Sequence, residues 1–365
     1  MKGPKEGGLR RRIVCDVDEI NLGYEGAHLY KKDGKYYLFT CHMLKSGNAW
    51  KTEDCFIADS LTGEFKGKCI IDDDMGYHRL GVAQGGMIDT PEGDWYIFMF
   101  HDKGALGRAP MLMPMHFGED GFPVIGTDGK VPEVVSAPST RPEYVYEPLN
   151  GDDDFFYEPD ADGKVHLKPF WQFNHNPVNT LWSVTERPGA YRMYSGKICD
   201  SLVYGYNTLT QRTFGPESAA WVTLDGSSLK DGDYAGLSAF IGCYGAVALT
   251  KDEGKYYLVM LGKPAQNDTV FQDTDFLEPA VEYERIEVDS ACVTLKVHTN
   301  FTDKKDEAIC YYLMDGEWKT IGIPQKQHFK MDHFTGCRFG MFFFSTKMTG
   351  GCADFMKFRY WKRED

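Results

Sequence analysis

The chain has 365 residues, of which 42% are hydrophobic and 14% aromatic, and a formal net charge of −14. That length exceeds one ordinary core, and the apolar share is too high for disorder. The acidic balance excludes a polyanion such as nucleic acid as an expected partner.

Read from the amino terminus, Met1 to Gly8 is polar and glycine-rich. It lacks the apolar region of a signal peptide, and no later stretch approaches the roughly 18 apolar residues of a membrane-spanning helix. The expectations are a cytoplasmic protein and no membrane partner. Ten cysteines at 15, 41, 55, 69, 199, 243, 292, 310, 337 and 352 include no C-x-x-C pair. They read as small buried hydrophobes rather than zinc ligands or a disulfide framework.

Helical periodicity is nearly absent. Short runs rich in Tyr, Phe, Val and Ile recur instead, each entered through an acidic-glycine turn. Three resemble one another: Asp33-Gly34 before Lys35–Phe39, Glu92-Gly93 before Asp94–Phe98, and Glu253-Gly254 before Lys255–Val259. Between the first two lie further short strands at 55–58 and 68–71, the strand density of a propeller blade. The runs Asp72-Asp73-Asp74 and Asp152-Asp153-Asp154 read as solvated turns. Prolines at 132, 138, 142, 148, 159 and 169 mark a linker or strap. Strands then resume to Trp361 and fit a two-sheet sandwich. The domain expectation is propeller blades over 1–135, a strap over 136–168 and a sandwich over 169–365.

Candidate chemistry concentrates in Gly23–Tyr30. Glu25 sits between Tyr24 and Gly26 at a strand entry, a setting that disfavours the ionised carboxyl and suits a general acid. By its residues alone, Glu25 reads more readily as an exposed carboxylate, since a Glu before a strand usually faces solvent. Glu25-Gly26-Ala27-His28-Leu29-Tyr30-Lys31-Lys32 resembles the E-G-P-H-L-Y-K-K strand of glycoside hydrolase family 43, with Ala27 in place of Pro. Gly81–Pro91, with Gln84 where the family has His, is similar to its G-x-x-H-x-x-[LI]-V-x-T-P stretch. Leu106-Gly107-Arg108 resembles its L-G-R strand, and Asp120-Gly121-Phe122-Pro123-Val124 its D-G-W-P-V turn. Phe334–Met341 and Ala353–Tyr360 resemble the F-T-G-A-F-V-G-M and A-D-F-x-x-F-R-Y segments of the sandwich domain in the family's β-xylosidases.

The resemblance implies an all-β fold: a partial five-bladed β-propeller followed by a concanavalin-A-like β-sandwich. It implies inverting removal of xylosyl or arabinofuranosyl units from xylan or arabinoxylan oligosaccharides. Glu25 would be the general acid; Arg108, Phe334, Gln84 and His28 would bind the sugar. No cofactor is required. A structural calcium remains an open alternative, weakened by Gln84, which lacks an imidazole. Asp16 and Asp18 do not match the family's base or its second aspartate. The expectation is that the base comes from propeller sequence absent here, on a second chain or a homo-oligomer. The alternative reading is a non-catalytic carbohydrate-binding sandwich with a residual propeller piece, stacking sugar on Trp171, Trp182 and Trp221.

Overall fold

The structure is a computed structural model that describes residues 20–44, 47–127, 129–137, 139, 141–265, 279–329 and 335–364. Asp16, Asp18 and Phe334 lie outside the described residues. The chain divides into two compact units, 1–103 with 108–143, and 104–107 with 144–365.

In the first unit, β1 (Ile20–Lys32), β2 (Lys35–Leu44), β3 (Thr52–Ala58) and β4 (Lys66–Ile71) form one four-stranded antiparallel blade in chain order. A second follows from β5 (Val82–Asp89), β6 (Trp95–Asp102), β7 (Arg108–Phe117) and β8 (Pro123–Ile125). Asp33 and Gly34 both take positive φ and close β1 onto β2, with Lys32 opposite Lys35. That backbone matches the strand twist, which is why an Asp-Gly pair reads as a hairpin. The turn at Glu92-Gly93 is wider, pairing Asp89 with Trp95 across residues 90–94. The blades pack through one core: Phe39, Cys55 and Ile71 from the first meet Val82, Ile97, Met99 and Met113 from the second.

The second unit contains β9 (Gln172–Phe173), β10 (Trp182–Ser183), β11 (Tyr191–Tyr194), β12 (Leu209–Arg212), β13 (Glu217–Asp225), β14 (Asp233–Ile241) and β15 (Cys243–Asp252). It continues through β16 (Lys255–Lys263), β17 (Val281–Val288), β18 (Cys292–Asn300), β19 (Glu307–Met314), β20 (Glu317–Lys326), β21 (Arg338–Ser345) and β22 (Cys352–Lys362). These make two seven-stranded sheets, ordered β10-β11-β22-β13-β18-β19-β20 and β17-β16-β15-β14-β21-β12-β9. Leu224, Val297 and Phe355 from the first sheet interlock with Leu237, Val247, Phe339 and Met341 from the second, all fully buried. Alternation of inward apolar and outward polar residues gives each sheet its core face.

Three sequence readings are corrected. Asp73 and Asp153, the middle members of the two aspartate runs, are buried rather than solvated. Asp73 accepts the Val131 amide at 2.8 Å, and Asp153 accepts the Phe155 amide at 2.9 Å and the Trp171 indole N–H at 2.7 Å. Each carboxylate organises a loop, so the flanking residues alone face water. Trp171 is itself buried against Phe155 and Phe358 and offers no stacking face. The nine described cysteines are free thiols, but Cys69 and Cys292 are exposed rather than buried.

Candidate active site

The site is built on two irregular strands. On β1 the register shifts on both sides of Glu25, which pairs with Cys41 of β2. On β5 a bulge falls between Ala83 and Gly86, and Gln84 takes a left-handed φ of 65°. Bulges of this kind re-aim side chains at the cost of a regular ladder. Glycine is required around them. Gly26 is left-handed, and a Cβ there would lie 2.6 Å from the Gln84 side chain. A Cβ on Gly85 would lie 1.8 Å from the Phe98 carbonyl oxygen. The Ala-Gln-Gly-Gly segment is therefore a tight bulge pressed onto β6, with Gln84 laid over Gly26.

Glu25 is half-buried, and the Cys41 thiol donates weakly to its Oε1 at 3.9 Å. Tyr24 is not the wall expected beside Glu25. Successive strand residues face opposite ways, and the Tyr24 ring stacks on His42 at 4.5 Å while its hydroxyl reaches Asp54 at 3.3 Å. Burial pushes the Cys41 thiol up to about 12, with Glu53 and Glu25 adding to the shift and Lys51 and Arg108 opposing it. Cys41 thus stays protonated at the centre of a charged cluster.

Arg108 opens β7 opposite Asp102. Its guanidinium lies 4.2 Å over the Phe100 ring, and Nε is 3.4 Å from Asp102 Oδ1. The other Asp102 oxygen takes the buried Lys51 ammonium at 2.7 Å. Lys51 also sits 3.9 Å over Phe100, so one ring and one carboxylate locate two cations.

A cavity of about 1240 Å³ in this unit is lined by His28, Tyr30, Gln84, Trp95, Phe98 and Arg108, among others. Three sequence candidates, His28, Gln84 and Arg108, therefore share one wall system. Glu25 is not among its lining residues and lies next to Cys41. Among the described residues no group of three or more His, Cys, Asp or Glu could hold a metal ion.

Lys51 and Glu53 were missed by sequence reasoning. Lys51, Thr52, Glu53 and Asp54 are all buried, although three of the four are charged. Their partners lie in other strands, and only the alternating apolar run that follows hinted at an inner strand.

This is the architecture of a sugar-cleaving enzyme's propeller blades joined to a lectin-like sandwich. Residues 163–361 match the family model described as the β-xylosidase C-terminal concanavalin A-like domain. The chain belongs to that family and, with it, to glycoside hydrolase family 43. It is 25% identical over 386 residues to a β-xylosidase of Formosa agariphila, covering 93% of this chain and 60% of that one. It is also 25% identical over 185 residues to a non-reducing end α-L-arabinofuranosidase of Bacteroides ovatus, covering 46% of this chain and 32% of that one. A solved bifunctional GH43-CE protein of Bacteroides eggerthii superposes with a TM-score of 0.82 at 36% identity, over 99% of this chain and 44% of that one. The chain thus spans less than two thirds of each of these relatives.

Proposed function

We propose that the first unit carries the acid side of a pentose-cleaving site that removes xylosyl or arabinofuranosyl units from xylan-type oligosaccharides by inversion. The observation that supports this most is the cavity lined together by His28 of the first blade and Gln84 and Arg108 of the second, His28 lying three residues beyond Glu25 on β1. Glu25 would protonate the departing glycosidic oxygen, and Arg108, Gln84 and His28 would hold the ring hydroxyls. The chemistry needs two carboxyl groups and water, and no cofactor.

An inverting site also needs a base. Asp54, Asp73 and Asp102 are each tied to protein partners. Burial raises Glu53 to about 8, which leaves it largely protonated near neutrality. The second blade presents an apolar face: Ile88, Phe98 and Leu112 are 56%, 53% and 40% exposed, and Phe98 pairs directly with Leu112. Such a face is a docking surface. We propose that further propeller blades, bearing the base, cover it. Of the three tryptophans of the binding-module alternative, Trp171 is buried, and Trp182 and Trp221 are half-buried.

The test is titration of the protein with xylobiose and with arabinofuranosyl oligosaccharides by calorimetry. Binding is expected, and Arg108→Ala should weaken it by about 10- to 100-fold, the loss of a charge-assisted hydrogen bond. Absence of pentoside binding by the unaltered protein, or an unchanged affinity in Arg108→Ala, would contradict the proposal.

A further inference from the structure

We infer that Glu53 is a positioning residue of this site: its carboxyl holds the left-handed bulge at Gln84-Gly85 and so fixes the Gln84 side chain over Gly26, next to Glu25. The bulge is a local fact of the fold; its importance for sugar binding rests on the proposed function above.

Glu53 is completely buried and lies on β3 opposite Cys41 of β2. Its Oε2 accepts the Gln84 amide at 2.7 Å. This amide sits within the β-bulge, where β5 drops its ladder to β6 between Ala83 and Gly86. Without an acceptor it would be buried and unpaired, which native structures avoid. Gln84 also carries a φ that non-glycine residues adopt only when their surroundings hold them there. The carboxyl supplies that hold from a different blade. Gln84 in turn leaves no room for a side chain at position 26. The path from Glu53 to Glu25 is therefore one hydrogen bond, one strained residue and one steric contact. Glu53 lines no part of the cavity, so its effect on sugar must pass through Gln84. Burial pushes this carboxyl up to about 8, and its neutral form accepts the amide without leaving a charge buried.

The test reads the Gln84 amide directly, by hydrogen exchange in residue-resolved NMR, with a xylobiose titration alongside. In the unaltered protein this amide is expected to be protected. Glu53→Leu should speed its exchange by about tenfold or more, the effect of removing the bond that holds an amide, while the β6–β7 ladder is unchanged. Glu53→Gln keeps a carbonyl acceptor and should restore protection and xylobiose affinity together. Should the Leu variant not fold, Glu53→Asp, which shortens the reach, should show the same local loss. Unchanged exchange at the Gln84 amide in Leu or Asp, or Gln behaving like Leu, would overturn the inference. Loss of protection with xylobiose affinity intact would overturn the positioning role. Failure of the unaltered protein to bind xylobiose would instead sink the proposed function, and the exchange data would still decide what holds the bulge.

Discussion

In an assembly that turns over pentosides, Glu25→Gln should lower kcat by roughly 10² to 10⁴ on substrates with poor leaving groups, the usual worth of general acid catalysis. The glutamine keeps the size of the side chain and its contact with Cys41 but has no proton of carboxylic acidity to give. Aryl pentosides with activated leaving groups hardly need that proton and should lose far less. The difference between the two substrate classes is the signature of an acid. Steady-state kinetics on both classes checks it, and equal losses would remove Glu25 from that role. In the structure Glu25 lies beside a thiol that stays protonated because burial and the Glu53 carboxyl oppose its ionisation. A neutral thiol can donate to the Glu25 carboxyl oxygen and cannot repel it.

The second large effect concerns stability. Lys51→Met should cost about 3–5 kcal/mol, the penalty for removing one partner of a buried ion pair. Lys51 is 1% exposed and Asp102 7%, so neither gains much from water. Burial pulls the Lys51 ammonium below its ordinary value, against the attraction of Asp102. Met fills the space of the lysine stem but leaves Asp102 with only Arg108, whose Nε is 3.4 Å away and partly solvated. The double variant Lys51→Met with Asp102→Leu should recover much of the loss, since two apolar groups replace a buried pair at little net cost. Urea unfolding followed by tryptophan fluorescence checks both. A single variant as stable as the unaltered protein would show that the pair contributes nothing.

Much of this was legible in the sequence, for local reasons. Asp33-Gly34 and Glu253-Gly254 adopt paired positive φ values and close two-residue hairpins, a geometry that those residue types signal without tertiary help. The strand character of both halves follows from alternation, and the family from motifs that keep their order along the chain. Glu25, Gln84, His28 and Arg108 were found as motif members. What they touch was not legible. Lys51 and Asp102 are 51 positions apart, and Glu53 and Gln84 are 31 apart. Charged residues in a strand normally face water, so nothing in Lys51 or Glu53 alone signals burial. The same blindness made Asp73 and Asp153 look solvated. A buried carboxylate reveals itself only once the amides and indole that satisfy it have been brought around it. Tyr24 failed differently: its ring is taken by His42 and its hydroxyl by Asp54, partners on neighbouring strands that nothing beside it in sequence signals.

Single-displacement hydrolysis of a pentoside, with Glu25 as the acid, inverts the anomeric configuration of the released sugar. Proton NMR of the sugar released in the first minutes from a β-xyloside, before mutarotation, tests it most directly, using this chain together with the further blades proposed to cover the Phe98–Leu112 face. α-Xylose is the expected initial product, with its release from poor leaving groups suppressed in Glu25→Gln. β-Xylose as the initial product, or α-xylose released at full rate by the Glu25→Gln protein, would contradict it.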